Sequence, residues 1–105
     1  MTPGFDPVIH EPTRLQVCAL LAPVAELEFG VVRDTLGIAD SVTSKHLKAL
    51  EQAGYITLTK RRTTGRARTW ASLSREGRAA FAGHVAELQR LAGLGAAAPT
   101  PERAH

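Results

Sequence analysis

The sequence has little of the material that several classes of protein require. It contains a single cysteine, Cys18, so no disulfide can form within the chain, and we expect a protein of the reducing cytoplasm. Aromatic residues make up 5% of the chain, which is too few for the stacking platforms that bind RNA or single strands. The longest apolar stretch, residues 17–22, is far shorter than the ~20 residues that cross a bilayer, and the N-terminal segment lacks the pattern of a signal peptide.

Catalytic and metal-binding motifs are also missing from the sequence. There is no glycine-rich phosphate loop, no pair of carboxylates in an apolar setting and no local Ser/His/Asp arrangement, so we do not expect an enzyme. The histidines are scattered, although His10 and His84 could meet across a dimer interface if both terminal helices line it. Without a cluster of ligands, we expect neither a metal ion nor another cofactor.

What the sequence does have is positive charge concentrated in one segment. Residues 41–78 contain nine Lys and Arg residues but only two acidic residues. Residues 1–40 contain two basic and six acidic residues, and residues 79–105 contain equal numbers of each. A chain with one basic segment is expected to face a polyanion through that segment.

The length of 105 residues, with 44% hydrophobic residues, predicts a single domain with one small core. We expect residues 1–92 to form this domain and residues 93–105, rich in Gly, Ala and Pro, to be a largely disordered tail. Periodicity and turn residues predict helices at 11–22, 30–37, 40–53 and 75–92, a short strand at 25–29 and longer strands at 55–62 and 66–73. This order, α-β-α-α-β-β-α, is mainly α with a small β-hairpin and predicts a winged helix-turn-helix.

The third predicted helix determines which side chains can contact a partner. At about 100° per residue, Thr43, Leu47 and Leu50 share an inward face, and Ser44 lies at its margin. The outward face carries short or basic side chains: Ser41, Val42, Lys45, Lys48 and Ala49.

Other polar residues have predicted structural roles. Asp40 or Ser41 can cap the start of the third helix, and Ser74 can cap the last helix. His46 lies about 70° from the centre of the inward face, so we expect a partly buried, hydrogen-bonded histidine rather than a base contact.

Two stretches resemble a known family of proteins. Residues 44–56, SKHLKALEQAGYI, resemble the recognition-helix stretch of bacterial ArsR and MarR-type repressors. Residues 65–78, GRARTWASLSREGR, are similar to the wing and last-helix start of small MarR-like winged-helix regulators. The cysteine pair that metal-sensing ArsR-type proteins would carry near the turn is absent, since residues 30–54 contain no cysteine.

The resemblance implies a homodimer that binds a pseudo-palindromic operator in duplex DNA, with each recognition helix in a major groove and each wing along the flanking backbone or minor groove. On the helix, the expected DNA-binding residues are Ser41, Val42, Ser44, Lys45 and Lys48. Of these, Ser41 and Lys45 are the main candidates for reading bases, with Val42 against a thymine methyl, and Lys48 for a phosphate. On the wing they are Arg61, Arg62, Arg66 and Arg68. The first three are expected at phosphates, although Arg66 or Arg68 could instead enter a narrow minor groove.

The terminal helices predict how two copies would associate. Their apolar stripes exceed what one small winged domain is expected to hide, so we expect them to pair across a two-fold axis. The expected interface residues are Leu15, Cys18, Leu21, Phe81, Val85, Leu88 and Leu91.

Two functions fit these patterns. The first is a sequence-specific, DNA-binding transcriptional regulator, acting as a homodimeric repressor with room for a small-molecule effector of unspecified chemistry. The alternative is a winged-helix module that recruits an acidic protein partner, because a fold does not determine a function. A preference for one DNA sequence over bulk DNA discriminates between them.

Overall fold

The order of secondary-structure elements confirms the predicted winged helix-turn-helix. A computed structural model describes residues 4–97, and it contains four helices and a three-stranded antiparallel sheet. The elements are α1 (Pro12–Leu21), β1 (Leu27–Glu28), α2 (Phe29–Leu36), α3 (Asp40–Gln52), β2 (Ile56–Thr63), β3 (Arg66–Leu73) and α4 (Arg75–Ala97). Within residues 4–97, no helix is both long and apolar enough to span a bilayer.

The core lies between the helices and one face of the sheet. Its fully or nearly buried apolar side chains come from the N-terminal segment, from α1, α2 and α3, and from the two hairpin strands: Ile9, Val17, Cys18, Leu21, Val32, Leu47, Leu50, Ile56, Ala71 and Leu73. The inward face of α3 is the predicted one, because Thr43, Leu47 and Leu50 are each at most 1% exposed. Burial of this face fixes the opposite face of α3 toward solvent.

The hairpin that forms the wing closes through a two-residue loop. Thr63 pairs with Arg66, which leaves Thr64 and Gly65 as the loop, and both have positive φ, 49° and 82°. Positive φ at both positions characterises the type I′ turn that matches the twist of paired strands. The sheet order is β1-β3-β2, and β1 pairs with β3 only through Leu27–Ala71 and Glu28–Trp70. The outer part of the hairpin therefore projects beyond β1 as a wing.

The starts of α3 and α4 differ in how they are capped. Ser74 caps α4 as predicted, since its hydroxyl accepts the Gly77 N–H at 2.9 Å and donates to the Gly54 carbonyl at 2.6 Å. The prediction of a cap at Asp40 or Ser41 is wrong, because the N-cap of α3 is Ala39, which makes no side-chain bond.

One glycine of α4 permits a close approach of two elements. A Cβ at Gly77 would collide with the carbonyl oxygen of Tyr55 and lie 2.8 Å from the carbonyl carbon. The first turn of α4 can therefore pack directly on the backbone that follows α3, which also presents that carbonyl to the N–H of Ser74 at 2.9 Å.

The last helix is longer than the sequence predicted. The boundary expected at residue 93 is wrong, because α4 continues to Ala97. Single glycines cost a helix about 1 kcal/mol each, and the leucines and alanines between them are strong helix formers. The remaining part of the expected disordered tail, residues 98–105, lies outside the described residues.

Candidate nucleic-acid interface

The exposed face of α3 carries the side chains that the sequence predicted to bind DNA. Ser41, Val42, Lys45 and Lys48 are exposed, and Ser44 is half-buried at the margin. We call these five residues the reading face. Their side chains are short or flexible, so a DNA groove could approach the helix closely at its N-terminal half.

An ion-pair cluster that the sequence analysis missed lies at the start of this helix. Arg33 of α2 contacts the carboxylates of Asp40 at 2.9 Å and Asp34 at 2.8 Å. Hydrogen bonds to these two aspartates raise the pKa of Arg33, and Arg33 lowers the pKa of Asp34. Arg33 thereby offsets the negative charge that Asp40 places beside the reading face. The contact of Asp40 with Arg33 also shows that its carboxylate is engaged away from the helix N–H groups.

His46 lies behind the reading face and has the structural role that the sequence predicted. It is 6% exposed, and the guanidinium of Arg14 approaches its Nδ1 at 3.3 Å. Glu11 lies 3.7 Å from the same nitrogen. Burial lowers the pKa of His46, although Glu11 opposes this effect. The neutral ring accepts from Arg14, which ties α1 to α3.

Strand register divides the basic residues of the wing between two faces. Directly opposite residues of an antiparallel pair point to the same side of the sheet, and alternate residues follow them. Lys60 and Arg62 therefore share a face with buried Ile56, toward α3, whereas Arg61 and Arg68 oppose each other on the other face. The structure does not bring all the predicted wing residues together on one surface.

Two basic residues on the face directed away from α3 are already paired within the protein, namely Arg61 and Arg68. Arg61 donates to Glu26 at 2.6 Å, and its guanidinium carbon lies 4.4 Å from the ring centroid of Trp70. Arg68 lies 3.8 Å from Glu28. We call these five residues the outer-face cluster. Sequence analysis assigned Arg61 and Arg68 to DNA because the charge of Glu26 and Glu28 is distant along the chain.

On the other face, a groove separates α3 from the wing. It encloses about 490 Å³ and is lined by residues of both elements, including Ser44, Lys48, Glu51, Lys60 and Thr69. Lys60 was not among the residues that the sequence predicted to bind DNA, although the alternation of β2 places it on the same face as Ile56 and Leu58. Lys48 and Lys60 place one lysine on each wall of the groove, and Glu51 places a carboxylate on the α3 wall. Arg62 follows Lys60 on this face and donates to the Gly65 carbonyl at 3.2 Å. Arg66 opposes Thr63, so it shares the other face with Arg61, and it is exposed next to the turn.

Two of the residues expected at a dimer interface belong to the core of a single chain. Cys18 and Leu21 are each 0% exposed, and burial raises the pKa of the Cys18 thiol to about 11. The prediction that they contact a partner is wrong, because α1 buries them against the domain's own residues. The other expected residues remain at least partly accessible: Leu15, Phe81, Val85, Leu88 and Leu91.

His10 and His84, for which the sequence left open a meeting across a dimer interface, meet within one chain. His10 Nδ1 lies 3.3 Å from His84 Nε2, and the backbone N–H of Asp6 donates to His84 Nδ1 at 3.2 Å. His84 is 0% exposed. Because its Nδ1 accepts, the neutral His84 ring carries its proton on Nε2 and donates it to His10 Nδ1.

This arrangement predicts acid sensitivity. Burial, with His10 adding to it and Asp6 opposing it, lowers the pKa of His84 below 6.5. A lowered folded-state pKa means that the unfolded chain binds more protons, so this contribution to stability is present above pH 6.5 and is lost as pH falls through the folded-state value. We expect the free energy of unfolding in urea to fall between pH 7 and pH 5.5, and to fall less in a His84→Gln variant. If the free energy of unfolding fell equally with pH in both proteins, a group other than His84 would cause the acid sensitivity.

A metal is not expected at this pair. Among residues 4–97, no group of three or more His, Cys, Asp or Glu side chains is placed to hold a metal ion. We expect Zn²⁺ or a chelator to leave duplex affinity, measured by fluorescence anisotropy, unchanged. A large zinc-dependent change that disappears on His10→Ala would show the opposite.

Comparisons with known proteins agree with this geometry. A family model described as a winged helix DNA-binding domain matches residues 13–92. An uncharacterised protein of Methanocaldococcus jannaschii is 29% identical over 84 residues, which are 80% of this chain and 91% of that protein.

Solved structures share the fold. A transcriptional regulator homologue from Pyrococcus horikoshii superposes with a TM-score of 0.77 at 20% identity, covering 82% of this chain and 85% of that one. A MarR-family transcriptional regulator from Enterococcus faecalis gives 0.72 at 20% identity, covering 85% and 79%. The predicted resemblance to MarR-type regulators is confirmed at the level of the fold, and the chain belongs to the winged helix DNA-binding domain family.

Proposed function

We propose that this protein is a sequence-specific transcriptional regulator that binds duplex DNA as a homodimer. The observation that carries the proposal is the exposure of the reading face beside a groove with a lysine on each wall. A helix fits the major groove, where every base pair presents a different pattern of donors and acceptors. Lysines on both sides of the groove suit a phosphate backbone running between α3 and the wing.

The side chains of the reading face have distinct roles in this proposal. Ser41 and Lys45 donate to base edges, and Val42, which is 37% exposed, contacts a thymine methyl. Phosphates are contacted by basic residues of α3 and the wing, namely Lys48, Lys60, Arg62 and Arg66. These contacts contribute affinity without sequence information.

The C-terminal half of α4 supports the homodimer. All residues from 89 to 94 are exposed in the single chain, including Leu91 at 42% and Leu94 at 59%. A helix end with no buried face and two exposed leucines is stabilised by packing on another helix. A second copy provides the same stripe by symmetry, and two copies present two reading faces to a pseudo-palindromic site.

Repression is the regulatory outcome that we propose. A dimer lying in two major grooves occupies DNA that a polymerase must enter, and no further catalytic or recruiting element is required for that effect.

The test is a selection of bound fragments from random duplex DNA, followed by competition. We expect the protein to prefer a selected duplex over a scrambled one by 10³-fold or more at physiological salt. Binding that is equally tight to both duplexes and equally sensitive to salt would contradict the proposal. It would favour a module that recruits an acidic protein partner.

A further inference from the structure

The outer-face cluster connects the wing to the body of the domain. Arg61 and Arg68 lie directly opposite each other, and such like-charged neighbours repel. Glu26 and Glu28, which precede α2, lie beside them and offset the repulsion.

The location of these contacts is mechanically important. Backbone pairing between β1 and β3 stops at Glu28 and Trp70. The part of the hairpin between Trp70 and the turn therefore has no β1 backbone beside it. The ion pairs of Arg61 and Arg68 reach across this boundary from the wing to the segment that leads into α2. They are therefore placed to set the angle of the wing relative to α3.

We propose that Arg61 and Arg68 are positioning residues, which orient the wing through Glu26, Glu28 and Trp70, and that they are not phosphate ligands. This inference rests on the proposed DNA-binding function and deepens it. Each arginine is matched by a carboxylate, so the two pairs add little net charge to attract a polyanion. The phosphate contacts are then made by four other basic residues, one on α3 and three on the wing: Lys48, Lys60, Arg62 and Arg66.

Removing one carboxylate separates positioning from simple charge attraction. If Glu26 only neutralised a DNA-binding arginine, Glu26→Gln would release Arg61, tighten binding and increase the dependence of affinity on salt. If Arg61 positions the wing, the same substitution loosens the wing and weakens binding several-fold at an unchanged salt slope. Glu76→Gln is the matched control, because Glu76 is an exposed acid in the first turn of α4, outside both the groove and the outer-face cluster. We expect this control to bind at least as tightly as the unmodified protein.

A charge swap provides the second arm of the experiment. Arg61→Glu alone places two acids together and should weaken binding to the selected duplex strongly. Adding Glu26→Arg restores an opposite-charge pair, and we expect it to recover most of the lost affinity. A phosphate ligand could not be rescued in this way, because residue 61 would still be an acid.

For the unmodified protein and each variant, affinity for the selected duplex is measured at a series of salt concentrations. Arg62→Ala should reduce the salt slope by about one unit, whereas Arg61→Ala should not change it. Tighter binding by Glu26→Gln, or no recovery in the swap, would overturn the positioning role. Failure of the proposed function is distinguishable, because the unmodified protein would then show no preference for the selected duplex.

Discussion

Leu91→Glu is expected to convert the dimer into monomers and to weaken binding to a two-half-site duplex by about 10²- to 10⁴-fold. The loss is large because a dimer joins two half-site contacts, so the second contact forms at high effective concentration. Leu91 is 42% exposed in the single chain, so a carboxylate there does not disturb the monomer's core. In a dimer, however, it would bury an unpaired charge.

The measurement is sedimentation at micromolar concentration together with anisotropy on whole and half-site duplexes. Gln89→Glu is the matched control, since it adds the same charge to α4 about 200° around the helix, and it should remain dimeric. If the unmodified protein is a monomer, or if the Leu91→Glu variant is still a dimer, then α4 does not form the dimer interface that we propose.

Leu50→Ala is expected to lower the free energy of unfolding by about 2–5 kcal/mol, because it leaves a cavity in a closely packed core. Leu50 is 0% exposed, and its carbonyl also accepts the N–H of Tyr55 at 2.9 Å. DNA binding should weaken in parallel with unfolding, since the residue acts only by holding α3 in place.

Lys48→Ala provides the comparison within the same helix. Lys48 is exposed, so its removal should change stability by less than about 0.5 kcal/mol. It should nevertheless reduce the salt slope of binding by about one unit. Urea unfolding and salt titration of both variants test the division between core and contact residues. Normal stability of Leu50→Ala would contradict the packing described here.

Much of the fold was predictable because its signals are local. The spacing of Thr43, Leu47 and Leu50 follows the helical repeat, and burial of this face exposes the reading face. The turn at Thr64 and Gly65 has a local sequence signal, and Ser74 caps α4 from within the same turn of chain. Each of these features depends on residues close together in the sequence.

The features that the sequence did not predict depend on tertiary contacts. Glu26 reaches Arg61 across 35 positions, and Asp6 reaches His84 across 78. The N-terminal segment has no periodic pattern, yet it contributes fully buried Ile9 and the hydrogen bond from Tyr55 to Asp6. The division of the wing's basic residues between two faces could be seen only from the strand register. The same register places Lys60 on the face toward α3.

The division of labour between α3 and the wing is tested most directly by comparing Lys45→Ala with Lys60→Ala. Each variant is titrated with salt on the selected duplex and on duplexes with one base pair changed. We expect Lys45→Ala to reduce discrimination at one base pair by about 1–3 kcal/mol. Lys60→Ala should weaken binding to all duplexes alike and reduce the salt slope by about one unit. A change of sequence preference in Lys60→Ala, with uniform weakening in Lys45→Ala, would contradict the account.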